Sequence, residues 1–525
     1  MKYSILIAIF IGINGTTLAQ DCNCNHEIAA GVSVYDGSTV KPGETVCLPA
    51  GERGRLRIDG LNGSKTEPVL LVNCGGQVVI NGDGGYGIML SGSRFIKMSG
   101  KGSDQYQYGI KVNGGTMGVT LLDFSSDVEI ENFHIEKSGF AGIMAKTDPS
   151  CANTDLRGFV MRNISFHHNY IHHTGGEGFY VGYSWHPTRE VECNGKTVMY
   201  YSHAISGIRI FSNIIENTQW DGLQVGCGTS NVKIYDNKIR NYGLADELYQ
   251  NHGVQIGAGT TGEFFNNLVD TGTGSGISFF GAGNNDLFNN VILNTHGNAI
   301  YHNDKGAREG TRYRIYNNTI VSGNGLGINL NAAHTRDNLV LNNLICVPAT
   351  GIRGGNARWT IDKNMISSNP DYFGFTDHPA KDFHLTQTSV CVDAGADLKY
   401  LEFDHDMMKR FAGGGFDVGA YELGAEPYEY VDDVVTDIDG KEGLGQIKVY
   451  PNPTGDELFL KLDKRFPAKS ISYQIYSLDG RVMLNGETFD LNTPVISTSS
   501  LGQGLHYCML FEGHHLLQTF RFLKN

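Results

Sequence analysis

Residues 208–215 read IRIFSNII and residues 232–239 read VKIYDNKI. The same phrase returns as GEFFNNLV at 262–269, DLFNNVI at 286–292, YRIYNNTI at 313–320, LVLNNLI at 339–345 and WTIDKNMI at 359–366, with VEIENFHI at 128–135 and SFHHNYI at 165–171 upstream. Each copy is an apolar alternation, then Asn, then Ile or Val, followed by a polar turn and a segment of the type Gly-Ile-x-Val. The aligned residues are Asn132, Asn169, Asn213, Asn237, Asn267, Asn290, Asn318, Asn343 and Asn364, mostly 21 to 30 apart, with gaps of 37 and 44 only where early loops intervene. Short strands and Gly turns at this period describe a solenoid whose coils bury side chains by stacking on one another. Alternation points Ile, Val and Phe inward. Asn at a fixed turn tolerates a left-handed backbone while its amide reaches the next coil, so an Asn ladder along one inner corner is expected, and these Asn and Gly residues are structural. The pattern is that of a parallel β-helix.

A chain of 525 residues is too long for one compact core, but a solenoid grows in one dimension. The net charge of −14 and the lack of a basic stripe argue against nucleic acid and against an anionic membrane surface. Lys2, an apolar run over 5–13 and Thr17-Leu18-Ala19 read as a signal peptide at 1–19, so export is expected. No other segment approaches a transmembrane span. In an exported chain most of the ten cysteines should pair: Cys151 with Cys193 and Cys47 with Cys74 are the expected bonds, and nothing has zinc spacing.

The C-terminal fifth differs in kind. An acidic linker at 425–445 leads to KVYPNPTGDELFLKL, YQIYSLDGRVML, LGQGLHYCMLFEG and TFRFLKN, short alternating strands that suit a small β-sandwich over 446–525. Tyr450-Pro451-Asn452-Pro453, the Asp479-Gly480-Arg481 turn and Gly504-x-x-Tyr507 closely resemble the type IX secretion sorting domain of Bacteroidota. That resemblance implies engagement of the type IX machinery and a secreted or cell-surface location. DFHLTQTSVCVDAG and GGGFDVGAYELG at 382–424 resemble the closing segment of extracellular pectate-lyase-like β-helix proteins of the same bacteria, which implies that 417–422 caps the last coil. The expected fold class is all-β: a right-handed parallel β-helix solenoid followed by a small C-terminal β-sandwich. Residues 20–92 would hold the N-terminal cap and first coils, and 93–424 the main helix with its closing segment.

Function must be argued from the outer face of the coils. Aligned on their Gly, successive coils read GGEGFYV, QWDGLQV, QNHGVQI, GSGISFF and GNAIYHN. The residue before the Gly should point outward and stack on its neighbours at about 4.8 Å. That column holds Glu177, Asp221 and His252; the outward row beyond it holds Tyr180, Gln224, Gln255, Ser278 and Tyr301. Close like charges raise at least one carboxyl pKa and set an acid beside a base, the pairing that glycosidic cleavage uses. Trp185, His186, Arg189, Tyr201 and Tyr249 lie in flanking loops, and Trp220 and Phe280 on the coils, where aromatic faces suit sugar rings. An extra coil hidden in the loop between Tyr183 and Ile205 would separate Glu177 from Asp221.

This column resembles part of the polygalacturonase site, with Glu177 at the family's first Asp, Asp221 at the second member of its Asp pair, and His252 at its His. The departures are Trp220 at the proton-donating Asp, Asn251 in place of Gly before the His, and no following Arg-x-Lys. The resemblance therefore implies a distant hydrolase or lyase rather than a polygalacturonase. Catalytic residues are expected at Glu177, Asp221 and His252, with Tyr180, Trp185, Trp220, Gln224, Tyr249, Gln255 and Tyr301 binding a polysaccharide. The protein is expected to be a monomer and to require no cofactor. The alternative is a lyase acting on uronates, with a base among Lys146, Tyr180, His252 and Arg308 and with Ca²⁺ held by Glu177 and Asp221. A non-catalytic carbohydrate-binding adhesin is the third reading. His167, His168, His172 and His173 read as solvated surface histidines, and no metal site is expected from them.

Overall fold

A computed structural model describes residues 22–430 and, further on, 448–450, 454–461, 471–476, 482–488, 495–512 and 515–524. The expected signal peptide, most of the acidic linker, Pro451-Asn452-Pro453 and the Asp479-Gly480-Arg481 turn lie outside these residues. The chain divides into two compact units, at residues 1–438 and 439–525.

The first unit is a parallel β-helix. One sheet of 12 strands stacks in chain order from Val34–Asp36 through Ala141–Ala145, Phe179–Val181, Leu223–Val225 and Val254–Ile256 to Ile352–Gly354. A second sheet of 23 strands carries the alternating repeats, also in parallel register. Ile130, Phe166, Ile210, Ile234, Phe264, Leu287, Ile315 and Val340 pair rung to rung, and all are buried. Period-2 alternation thus fills the interior with one apolar column per strand.

The Asn ladder forms, from Asn169 to Asn364. Nδ2 of Asn267 donates to the carbonyl of Ile234 one rung back and to Oδ1 of Asn290 one rung on, and its Oδ1 accepts from the backbone N of Asn237. Asn132 is not part of it. The left-handed backbone belongs to the residue before each ladder Asn: His168, Ser212, Asp236, Asn266, Asn289, Asn317 and Asn342 have φ between 51° and 55°. Asn132, with φ 58°, occupies that position, and Phe133 stands at the ladder site above Asn169.

The 417–422 segment does not cap the last coil. Asn317 Nδ2 donates to the carbonyls of Asp417 and Gly419, and Ala420 N donates to Thr319 Oγ1, so the segment runs along the flank of the helix. The reason is an outward stack of Phe211, Tyr235, Phe265, Phe288 and Tyr316, with rings 4.9–5.0 Å apart. Leu398, Leu401, Phe403 and Phe416 bury it. On the final rung the inward-equivalent Ile361 and Ile366 stay 41% and 48% exposed.

Six cysteines pair. Cys151–Cys193 forms as expected, whereas Cys47 bonds to Cys24 and Cys74 to Cys22. The expected Cys47–Cys74 bond is replaced because the segment preceding His26–Glu27 lies against the first rungs and brings two thiols of its own. The loop after Tyr183 holds no additional coil: Thr188–Cys193 and Lys196–Tyr201 form an antiparallel hairpin, and Phe179–Val181 pairs directly with Leu223–Val225.

The second unit has a three-stranded and a four-stranded antiparallel sheet around Leu458, Leu460, Ile471, Ile475, Ile496, Cys508, Leu510 and Phe522. His506, beside Tyr507, is buried, donates from Nε2 to the Gly502 carbonyl and stacks on Phe522.

Candidate functional site

Direct pairing of Phe179–Val181, Leu223–Val225 and Val254–Ile256 puts Glu177, Asp221 and His252 on three adjacent rungs. The backbone at their Gly residues repeats one geometry: Gly178 N donates to the Asp221 carbonyl and Gly222 N to the His252 carbonyl. Gly is required here, since a Cβ on Gly178 or Gly222 would lie within about 2.5 Å of a buried Ile and of the next rung's carbonyl.

The three side chains do not project into water. Glu177 is 1% exposed, Asp221 0%, and only His252 is partly open. Asp221 nevertheless reaches the outward row, because its Oδ2 accepts from Gln255 Nε2 at 2.9 Å. Asp221 Oδ1 accepts from the backbone N of His252 at 2.7 Å. Gln255 Nε2 also donates to Gln224 Oε1, Gln224 Nε2 donates to Ser184 Oγ, and Ser184 Oγ meets the Tyr180 hydroxyl at 2.8 Å. Asp221 is therefore tied by a continuous polar chain to Tyr180 on the rung before.

Burial, and not mutual repulsion, sets the charge states. Desolvation pushes the Glu177 carboxyl up to about 7, only partly opposed by the Lys146 charge. Asp221 is raised well above its usual value by burial first, with the Glu177 charge a lesser cause. Burial lowers His252 to about 4, so its imidazole is neutral near pH 7. Oε2 of Glu177 is buried without a hydrogen-bond partner. Near neutral pH this is a carboxyl poised between acid and base, unlike Asp221, whose two oxygens are both engaged.

Aromatic rings surround the column. Phe140, absent from the sequence reading, packs edge-on against both Tyr180 and Trp220 at 5.5 and 5.6 Å. Lys146 Nζ lies 4.2 Å from the Tyr180 ring centre and 2.9 Å from Asp148. Phe140 and Lys146 belong to the preceding coil, whose FAGIMAK carries no acid; Lys146 is a candidate base from the sequence, whereas only stacking reveals Phe140. Tyr301 continues the outward row through Ser278. Trp185 is 54% exposed and stacks with Arg189 instead of the column, and Tyr249 is 73% exposed on a loop whose start bonds to the Trp220 backbone. His186 is held by Ser202, and Arg308 lies near it, so neither joins the column. A cleft lined by Asn303, Asp304, Asn331 and His334 opens several rungs further on.

Two family models match this chain. Residues 191–345 match the right-handed beta helix region, and residues 448–521 match the secretion system C-terminal sorting domain. The chain is a right-handed parallel β-helix with a type IX sorting domain. It is therefore a secreted or cell-surface protein. Among solved structures it is similar to pectate lyase Pel9A at 12% identity, over 77% of this chain and 97% of that one, with a TM-score of 0.46. An alginate lyase from Paenibacillus sp. str. FPU-7 is 16% identical, over 64% and 99%, with a TM-score of 0.32. A PL6 family polysaccharide lyase from Pseudopedobacter saltans is 11% identical, over 65% and 92%, with a TM-score of 0.35. No curated protein matches this chain. Among the described residues no helix is long and apolar enough to cross a membrane.

Proposed function

We propose that this protein acts on polysaccharides outside the cell, cleaving glycosidic bonds at the face carrying Glu177. The observation that carries the reading is the Glu177 carboxyl: buried, unpartnered at Oε2, and raised to about 7. A carboxyl kept neutral near working pH is the proton donor that a departing sugar oxygen needs. Tyr180, Phe140 and Trp220 beside it supply ring faces for the sugar. Asp221 acts as a positioning residue, since both of its oxygens fix the backbone of His252 and the amide of Gln255. Gln224, Gln255 and Tyr301 extend the row along which a glycan would lie.

Elimination from a uronate is the second reading, supported by Lys146: its cation sits over the Tyr180 phenol and would exchange Asp148 for the substrate carboxylate. A Ca²⁺ site at Glu177 and Asp221 is poorly supported, because Asp221 is fully buried with both oxygens committed.

The test is a screen of the purified chain on plant, algal and host polysaccharides, reading reducing ends and ultraviolet absorbance together. Reducing ends without absorbance are expected, with Glu177→Gln lowering turnover by roughly 100-fold or more while glycan binding persists. Absorbance of unsaturated products would establish elimination instead. Binding with no turnover on any glycan would leave an adhesin.

A further inference from the structure

We propose that His134, Glu136 and His172 form a binding site for one divalent transition-metal ion, zinc by ligand type, on the outer face of the large sheet. Alternation in Phe133–Glu136 puts His134 and Glu136 on the same side of the strand. The next rung, Tyr170–His172, pairs Glu136 with His172 and His134 with Tyr170, which sets the second imidazole across from the carboxylate and diagonal to the first imidazole. Three ligand atoms converge: the two Nε2 atoms are 2.7 Å apart, and each is 3.5 Å from Oε2 of Glu136.

A triangle with these sides has a circumradius of about 1.9 Å, just inside the ~2.0–2.1 Å of a metal–imidazole bond, so one ion slightly above its plane reaches all three atoms. Two imidazoles and a carboxylate with a position left open for water or a ligand oxygen form a donor set suited to Zn²⁺ and its neighbours rather than Ca²⁺.

The supporting contacts orient these groups. Lys111 Nζ holds the other carboxylate oxygen, Oε1, at 3.0 Å and leaves Oε2 to the histidines. The Tyr170 ring stacks on His134 at 5.2 Å and lies 4.5 Å from His172, and its hydroxyl is anchored on Glu216. The ligand side chains are only 11–19% exposed, sheltered but reachable from solvent. Glu136 also meets Lys137, again at Oε1, so both of its lysines leave Oε2 open; in the neighbouring Glu129, Glu131 and His167, Lys97 and Lys101 sit on the very oxygens that face His167, which makes that group an ion-pair network.

The site was hidden in the sequence because only one ligand lies in the histidine cluster at 167–173. The other two come from the rung before, 36 or more residues earlier.

The full chain, stripped with a chelator and dialysed, is titrated with Zn²⁺ by calorimetry and with Co²⁺ by visible absorption. One tight equivalent and a cobalt ligand-field band are expected, with a zinc-dependent rise in melting temperature. His134→Gln and His172→Gln, which keep bulk and polarity, should each weaken Zn²⁺ binding by roughly 100-fold and remove the cobalt band. His167→Gln and His384→Gln should bind as the parent does. Absence of a tight equivalent in the parent chain, or binding unchanged in both His134→Gln and His172→Gln, overturns the proposal.

Discussion

Glu177 shows what one buried carboxyl costs and offers. Its pKa rises from 4.5 to about 7 on folding, so between these values the folded chain holds a proton that the unfolded chain has released. The contribution is fully favourable below the unfolded value and is lost as pH rises through 7, a difference of about 3 kcal/mol at pH 8. Glu177→Gln removes the charge and keeps the shape. Urea unfolding of the parent chain should therefore show a steeper fall in stability from pH 5 to pH 8 than the Gln variant shows; parallel profiles would place this carboxyl in water. Asp221 is the wrong residue for such a probe. An amide there turns an N–H toward the Gln255 donor, and any repair by flipping Gln255 breaks its bond to Gln224. At this scale the sequence alignment of Glu177, Asp221 and His252 was legible because the Gly after each sets the register. Their burial was not legible, since the alignment says which side chains share a column and not what packs over them.

The rung is the element of this molecule, and its corners are held by amides. Asn267 satisfies backbone groups on its own rung and the one before and bonds the Asn290 side chain on the next, so a single truncation orphans several buried partners at once. Asn267→Ala is expected to cost about 2–4 kcal/mol in chemical denaturation, and Asn132→Ala far less, because Asn132 stands outside the ladder. A second element-scale expectation concerns the hairpin Thr188–Cys193 and Lys196–Tyr201, whose tip is joined to Cys151. Replacing Cys151 and Cys193 by Ser should open residues 184–202 to limited proteolysis while the rungs stay resistant; equal resistance would mean that the hairpin packs well enough without the bond. The hairpin is signalled by Asn194-Gly195, a two-residue turn between two strand-like runs, which the coil-length reading of the loop passes over. YSWHPTREVECNGKTVMYYSH has the length of a coil, and only the direct pairing of the rungs on either side of it excludes one.

At the scale of the whole molecule, two units divide the work of folding and of destination. A chain ending at residue 438 should still bury its aromatic stack and give a cooperative thermal transition, yet remain inside the outer membrane when expressed in the native type of host. Cell fractionation and mass spectrometry of the culture fluid measure this, and export of the truncated chain would sever the sorting domain from its role. The sequence by itself determined the β-helix, the rung register from Asn169 onward and the sorting domain, because each is a periodic or local pattern; Asn132 falls one position off because its copy carries Phe133 at the ladder site. Tertiary structure alone decided the partners of Cys22 and Cys24, the flank position of 417–422, the burial of the acidic column and the meeting of His134, Glu136 and His172. Stacking places side by side residues from different turns of the chain, and the intervening loop lengths, which set those meetings, follow no period.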